Sequence, residues 1–255
     1  MRPLPLIAAA LLALTAFASP GGAQSFFDDL NEDERRALHA EIRAYLLENP
    51  EVIFEAVAAF EERNASAQVE MEEALVEINA EAIFFDGHSW AGGNPDADLI
   101  LVEFVDYRCG FCRRAFEQVM EFIESDGNTQ LVMKEFPILG PESEAMSRFA
   151  VAVLQLGGSD AYFTAHERLL NWEGAVNDTT LGALAAELGL DVEAVLGQMT
   201  SEAVNDVLAE NRALAQRLQI SGTPTFVLGG GEDGEMIRGM LPAAALAERA
   251  AAQRG

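Results

Sequence analysis

The chain contains the stretch Leu99-Ile100-Leu101-Val102-Glu103-Phe104-Val105-Asp106-Tyr107-Arg108-Cys109-Gly110-Phe111-Cys112. Its apolar first half predicts a buried strand, and the residues after Val105 predict a turn into a helix. Cys109 and Cys112 are the only cysteines among the 255 residues. A Cys-x-x-Cys pair that ends a strand and begins a helix is typical of reversible dithiol–disulfide chemistry. The stretch therefore predicts a protein that exchanges disulfides with other proteins.

Two other interpretations of the cysteine pair are weaker. A zinc site needs four ligands, commonly from a second Cys or His pair, but His39, His88 and His166 are scattered along the chain. An inert structural disulfide is disfavoured because closing so short a loop restrains the unfolded chain little. We therefore expect no metal site and no cofactor beyond a redox-active disulfide of Cys109 and Cys112.

The N-terminal residues indicate an exported protein. Residues 1–23 combine Arg2, a short apolar run and a small-residue end at Ala23, which is typical of a cleavable signal peptide. An uncleaved membrane anchor is the alternative. Export places the cysteines in an oxidising compartment, for which we expect the periplasm. The formal net charge of −26 argues against nucleic acid as a partner.

Residues 24–86 are predicted to form an N-terminal helical region. Asn31 and Glu34 have the spacing of a capping box at the start of a first helix, which should end near Glu48. Asn49-Pro50 is expected to cap a second, longer helix that continues to Ile78. The apolar stripes of these helices either pack on the main domain or form an oligomerisation arm.

Residues 87–255 are predicted to form an α/β domain that begins after a turn-rich boundary at Gly87–Asp98. A strand at Leu99–Val105, a helix that carries the cysteines and a strand at Gln130–Phe136 would form a βαβ unit. Residues 141–219 approximately are predicted to be a helical insertion. Strands then follow at Thr225–Leu228 and Glu235–Arg238, and a last helix is expected at Pro242–Ala252.

Three motifs in the main domain resemble those of the exported DsbA-like thioredoxin-fold family. They are the stretch Val102–Cys112, Lys134-Glu135-Phe136-Pro137 and Ser221-Gly222-Thr223-Pro224-Thr225-Phe226. The segment Tyr45–Ile53 is similar to the N-terminal region of the ScsC branch, the suppressor-of-copper-sensitivity proteins. In that branch the region is associated with trimerisation and disulfide shuffling in some members, whereas others are monomers. The resemblance implies a thioredoxin-like fold with a helical insertion, preceded by an N-terminal helical arm.

The roles of the two cysteines follow from their places on the expected helix. At the helix N-terminus, free backbone N–H groups favour the thiolate, so Cys109 should be the attacking nucleophile. Cys112, one turn further and less exposed, should resolve the mixed disulfide. Gly110 would let a substrate strand approach, and Phe111 would offer an apolar contact. Because neither middle residue is charged, we expect a less oxidising pair than in the strongest oxidants of the family.

The resemblance also implies roles for Thr223-Pro224 and Glu103. Thr223-Pro224 matches the family's cis-proline loop, which binds an extended peptide beside the cysteines, although an ordinary turn is the alternative. Glu103 matches the family's buried acid and would exchange a proton with Cys112. Its alternative is a carboxylate paired with Lys134 or facing solvent.

The charged and aromatic residues around the motif are expected to have structural roles or none. Arg108, Arg113 and Arg114 flank the pair and could stabilise a thiolate, although solvated charges on the helix surface are the more usual outcome. His166 and Trp172 are expected to be packing residues.

The sequence therefore predicts an exported disulfide isomerase or reductase. Its expected partners are misoxidised or unfolded exported proteins, a membrane redox partner and, through the arm, two further copies of the chain in a homotrimer. The alternatives are a DsbA-like oxidase that introduces disulfides, a Cu(I)-binding or relay protein that uses the two thiolates, and a noncatalytic chaperone.

Overall fold

The computed structural model describes residues 30–255, so the predicted signal peptide lies outside the described residues. The chain divides into two compact units, one ending at Asn64 and the other spanning Ala65–Gly255. No helix within residues 30–255 is both long enough and apolar enough to span a membrane.

The first unit contains helix α1 (Glu32–Glu48) and the beginning of helix α2 (Glu51–Ile78). The predicted capping box is confirmed, because the Asn31 side chain accepts from the Glu34 N–H while Glu34 accepts from the Asn31 N–H. The predicted cap at Asn49 differs: its side chain donates to the carbonyl of Tyr45 and so ends α1. Many large apolar side chains of this unit remain exposed: Ile42, Tyr45, Leu47, Ile53, Phe54, Val57 and Phe60.

The second unit is a five-stranded mixed sheet with helices on both faces. Its strands are β1 (Trp90–Gly93), β2 (Leu99–Val105), β3 (Thr129–Glu135), β4 (Thr225–Gly229) and β5 (Glu235–Arg238). Besides the end of α2, its helices are α3 (Ala80–Phe84), α4 (Gly110–Asp126), α5 (Pro141–Leu170), α6 (Asp178–Glu187), α7 (Val192–Gln198), α8 (Glu202–Arg217) and α9 (Ala243–Arg254). A left-handed glycine, Gly158, divides α5 into two helical pieces.

The strand order is β1-β3-β2-β4-β5, in which β2 and β3 are parallel and the other pairs are antiparallel. The predicted βαβ unit, β2-α4-β3, is therefore confirmed. Strand β1 is a correction, because the sequence analysis placed Trp90–Gly93 in a turn-rich boundary. These residues pair with β3 at the edge of the sheet.

Two cores cover the faces of the sheet. On one face, alternate residues of β2 such as Leu101 and Val105 pack with α4, α5 and α9. On the other face, Val102 and Phe104 pack with α8 and with a buried group from the end of α2 and from α3, namely Val76, Ile83 and Phe84. Residues 65–86 thus share the second unit with the sheet, whereas the sequence analysis placed its boundary at 86/87. The reason is that these three side chains lose their contact with water only against the sheet.

Candidate active site

The cysteines lie where β2 leads into α4, on the side of the sheet covered by that helix. Cys109 is the N-cap residue of α4, and its N–H donates to the Asp106 carbonyl at 3.0 Å. Cys109 is 7% exposed and Cys112 is fully buried. Both are free thiols. The outer position of Cys109 fits attack on another protein, and the inner position of Cys112 fits attack on Cys109.

The electrostatic surroundings hold Cys112 as a thiol. Burial, and next the charge of Glu103, raise the pKa of the Cys112 thiol far above its ordinary value. Cys112 therefore needs a proton acceptor before it can attack a mixed disulfide.

The loop around Thr223 presents backbone groups beside Cys109. The Thr223–Pro224 peptide bond is cis, as the resemblance implies. The Cys109 Sγ donates to the Thr223 carbonyl at 3.1 Å, and the Pro224 carbonyl accepts from the Gly239 N–H at 2.9 Å. The loop is therefore fixed between the cysteine and the end of β5.

Gly110 and Phe111 form an open surface next to Cys109. The only atom within 4 Å of a Cβ built on Gly110 is an Nη of Arg114, at 3.9 Å, so the space beside this residue is free. Phe111 is 58% exposed, and the Arg114 guanidinium lies 4.5 Å from its ring centroid. This surface is accessible to a polypeptide that approaches Cys109.

The other arginines near the pair have partners elsewhere. Arg108 forms an ion pair with Glu142 at 3.2 Å. Arg113 Nε donates to the Leu170 carbonyl at 2.5 Å and so caps the end of α5. These contacts assign both side chains to the packing of α4 and α5.

Asp106, which the sequence analysis did not single out, holds an apolar loop against the turn that leads from β2 to Cys109. Its buried carboxylate accepts from the N–H groups of Ile138 and Leu139, at 2.7 and 3.0 Å, and from the Ser143 hydroxyl at 2.8 Å. The Ile138 and Leu139 side chains are exposed. An acidic residue directly after a buried strand, followed by a turn, was the available signal.

Glu103 is buried on the sheet face below α4, and its predicted alternative partner is wrong. Successive residues of a strand point to opposite faces, so Glu103 of β2 and Lys134 of β3, whose strand partner is Phe104, lie on different faces. Lys134 instead forms a buried ion pair with Asp86. Burial, then the charges of Cys109 and Glu135, raise the pKa of Glu103 to about 8.

His166 and Trp172 pack in the domain, but His166 also belongs to a polar cluster that sequence reasoning missed. Trp172 is partly buried against the core. His166 is fully buried, and its Nδ1 lies 3.0 Å from the Tyr107 hydroxyl. That hydroxyl donates to Glu135 at 2.6 Å, and Tyr162 donates to the same carboxyl oxygen at 2.7 Å. The available signal was an acidic residue at the end of the buried strand β3.

The described part of the chain contains no group of three or more His, Cys, Asp or Glu residues arranged to hold a metal ion.

Comparison with known proteins identifies the family. The family model of the DSBA-like thioredoxin domain matches residues 100–251, which include both cysteines and the cis-proline loop. The chain belongs to the DSBA-like thioredoxin domain family. The model of the copper resistance protein ScsC N-terminal domain matches residues 34–67 of the helical region. The two matches together place this chain with the thioredoxin-fold proteins of the DsbA and ScsC type.

Individual relatives agree with this family. The crystal structure of BcfH from Salmonella enterica Typhimurium is similar over 91% of this chain and 99% of that one, with 26% identity and a TM-score of 0.76. A thioredoxin-like oxidoreductase from Silicibacter pomeroyi DSS-3 is 34% identical over 68% of this chain and 96% of that one, with a TM-score of 0.62.

Several curated relatives with a similar segment are much longer proteins. The Na(+)/H(+) antiporter NhaA 1 of Salinispora arenicola is 26% identical over 140 residues, which are 54% of this chain. The chain spans about a fifth of the length of that relative, since the match covers 21% of it.

Glu103→Gln tests whether this carboxyl is protonated in the folded protein. With a folded-state pKa of about 8 against an ordinary value of 4.5, the folded chain holds a proton that the unfolded chain releases between these pH values. The free energy of unfolding should therefore fall as pH rises from 4.5 to 8 and then level off. The variant should lose this slope and gain on the order of 2–4 kcal/mol at pH 8. Urea unfolding of the reduced proteins at pH 5 and 8.5 measures it.

Glu124→Gln provides the control. Glu124 lies on α4 and is exposed, so this variant makes the same substitution without changing a buried carboxyl. A gain of equal size at both pH values in Glu103→Gln would show that Glu103 is not a buried acid that titrates.

Proposed function

We propose that the protein is an exported disulfide isomerase and reductase that acts on misoxidised proteins in the periplasm. The observation that supports it most is the surface around Cys109. The reactive sulfur lies beside the backbone of a cis-proline loop, with an open glycine and an exposed phenylalanine next to it. An extended client segment fits such a surface through backbone hydrogen bonds and apolar contacts.

Exposed apolar side chains come from the motif and from two segments that are hydrogen-bonded to Asp106 and to the cis-proline loop. Phe111 lies in the motif, Ile138 and Leu139 lie on the loop held by Asp106, and Met240 follows Gly239, which donates to the cis-proline carbonyl. All four are exposed. Misfolded clients expose apolar segments, so this surface favours them over native proteins.

In the isomerase reaction, the Cys109 thiolate attacks one sulfur of a client disulfide. An S–S bond between Cys109 and the client forms, the client disulfide breaks, and a client thiolate leaves. A client thiolate then attacks the mixed disulfide, which forms a new client disulfide and restores Cys109 without net electron transfer.

In the reductive branch, Cys112 gives its proton to the Glu103 carboxylate and attacks the Cys109 sulfur. The client leaves as a thiolate with two electrons, and the Cys109–Cys112 disulfide remains. A dithiol donor must then reduce this disulfide, and we propose that a membrane redox partner supplies it. No other cofactor enters the reaction.

The helical region is proposed to join copies of the chain into a homotrimer. Its apolar side chains are exposed on α1 and on the first part of α2. A second and third copy would bury them. Several active sites around one client raise the effective concentration of Cys109 for repeated attack.

The equilibrium of the pair with glutathione separates the isomerase from a strong oxidase. Because Gly110 and Phe111 carry no charge, no imidazolium within the motif stabilises the thiolate of the reduced form. We expect a reduction potential nearer to about −180 mV than to about −120 mV. Phe111→His should shift it towards the more oxidising value. A potential of the unaltered pair at or above the oxidising end would assign the protein to disulfide introduction.

A further inference from the structure

Two buried carboxyls share one face of the sheet beneath α4 and α5. In the parallel register of β2 and β3, Glu103 is paired with Met133 and Val105 with Glu135. Glu103 and Glu135 therefore lie two positions apart in register and point to the same face. Both are almost completely buried. Among residues 30–255, no lysine or arginine forms an ion pair with either carboxyl, since Lys134 lies on the other face with Asp86.

The two carboxyls differ in the hydrogen bonds that stabilise a negative charge. Glu135 Oε1 accepts from both Tyr107 and Tyr162. Within the described chain, no hydrogen bond to the Glu103 carboxyl is found. Because hydrogen-bond donors favour the charged form of a carboxyl, the first negative charge of the pair belongs on Glu135. Two neighbouring carboxyls in a buried site do not both ionise readily, so the remaining proton belongs on Glu103.

Hydrogen bonds link His166 to Tyr107 and Tyr107 to Glu135. The single proton of the Tyr107 hydroxyl is directed to Glu135, so His166 Nδ1 must carry the hydrogen that is donated to Tyr107. Burial lowers the pKa of His166 to about 3, so the imidazole is neutral at physiological pH. His166 Nε2 and Glu135 Oε2 are both buried without a hydrogen-bond partner. Tyr107, which is oriented by His166, and Tyr162 are therefore fixed, uncharged donors to one carboxyl oxygen of Glu135.

The groups that face Glu135 come from three sides. Glu103 lies on β2, Asp106 and Tyr107 follow β2, and Tyr162 and His166 lie on α5. Burial raises the pKa of Glu135 to about 7, although the hydrogen bonds from Tyr107 and Tyr162 act in the opposite direction. Its charge is one of the causes that raise the pKa of Glu103. Glu135 therefore has the lower pKa of the two carboxyls, in agreement with the hydrogen bonds that it accepts.

We propose that Glu135 is a positioning residue of the thiol–disulfide reaction, whose buried charge, held by Tyr107 and Tyr162, keeps the shared proton on Glu103 at neutral pH. The proton is then available to Cys112 when an external thiolate attacks Cys109 and Cys112 leaves as a thiolate: Glu103 becomes a carboxylate and Cys112 a thiol. The reverse transfer, from Cys112 to Glu103 during the attack on a mixed disulfide, needs the ionised form of Glu103, so the rate of client release should rise with pH through the Glu103 midpoint. The inference rests on the proton exchange between Glu103 and Cys112 proposed above and is independent of the isomerase assignment.

The test is the titration of Glu103 in the reduced full chain, followed by NMR of ¹³C-labelled glutamate carboxyls and assigned with Glu103→Gln. Glu135→Gln keeps the shape of the side chain and removes its charge. The Glu103 midpoint is expected to move down by roughly one pH unit. The rate at which Cys112 releases a client from Cys109 should show the same shift of its pH profile.

Two further variants separate this role from a general effect. Tyr162→Phe leaves the carboxyl but removes one donor, and it should move the Glu103 midpoint in the same direction by less. Glu124→Gln removes an exposed charge on α4 and should leave the midpoint unchanged. An unchanged Glu103 midpoint in both Glu135→Gln and Tyr162→Phe would overturn the inference. If Glu135→Gln unfolds, Tyr162→Phe alone decides it. A shifted Glu103 midpoint with an unshifted release profile would overturn the Glu103–Cys112 exchange and leave the coupling of the carboxyls intact.

Discussion

Replacing Cys109 by serine is expected to lower catalysed disulfide exchange to the rate of the client alone in buffer. The attacking group is a thiolate, and a serine hydroxyl remains protonated and unreactive at neutral pH. Cys109 lies at the start of α4 and is 7% exposed, whereas Cys112 is fully buried. The variant therefore has no other cysteine that can reach a client. Reduction of a disulfide-bonded client in the presence of a thiol reductant measures the loss.

Cys112→Ser is the matched variant, since it makes the same change of atom one helical turn further on. It should still attack the client and then accumulate a mixed disulfide through Cys109, because the resolving thiol is missing. Mass spectrometry of the trapped species identifies the cysteine. A mixed disulfide that forms through Cys112 in Cys109→Ser would reverse the assignment of the two roles.

The second large effect is expected from a charge placed on the apolar side of the helical region. Ile53, Val57 and Phe60 have the i, i+4, i+7 spacing of one helix side, and all three are exposed in the single chain. Phe60→Glu should convert a trimer into monomers, a threefold fall in mass, because a carboxylate would be buried between copies. Light scattering measures the mass.

The adjacent Ala59 provides the control, because it lies about 100° around the helix from Phe60 and is also exposed. Ala59→Glu adds the same charge and should leave the assembly unchanged. The Phe60→Glu monomer should retain the reduction of simple clients but lose most of its shuffling activity. An unaltered chain that is already monomeric, or a Phe60→Glu monomer that shuffles at full rate, would contradict the role of the arm.

Local patterns were sufficient to predict the elements that depend on local interactions. The capping box at Asn31 and Glu34 and the uninterrupted apolar run of β2 both appear in the structure as expected. Each is specified within a few neighbouring residues, so no knowledge of the rest of the chain was needed.

Strand β1 was missed because it depends on the rest of the domain. Its four residues end in Gly92 and Gly93, which are typical of a turn, and it becomes a strand by pairing with β3. The Trp90 ring lies over Gly92 so closely that a Cβ there would be 2.1 Å from a ring carbon. Gly92 thus serves close packing at this position, which a sequence pattern does not reveal.

At the site, the motif residues were predicted and their supporting residues were not. Cys109, Cys112, Thr223 and Pro224 lie together as the resemblance implies. Glu135 was quoted only as part of the motif Lys134–Pro137 and was given no role of its own. The register of β2 and β3 sends Glu135 and its neighbour Lys134 to opposite faces, and the donor Tyr162 is 27 residues away on α5. The environment of Glu135 therefore arises from tertiary packing.

The central claim is that the reduced pair shuffles disulfides, and recovery of a scrambled-disulfide enzyme tests it most directly. Catalytic amounts of reduced residues 24–255 would be added in a buffer without an added oxidant, beside Cys109→Ser and a buffer control. We predict that activity returns with the unaltered chain and stays at the buffer level with the variant. No recovery with the unaltered chain, together with faster oxidation of a reduced client by its disulfide form, would contradict the account and identify an oxidase.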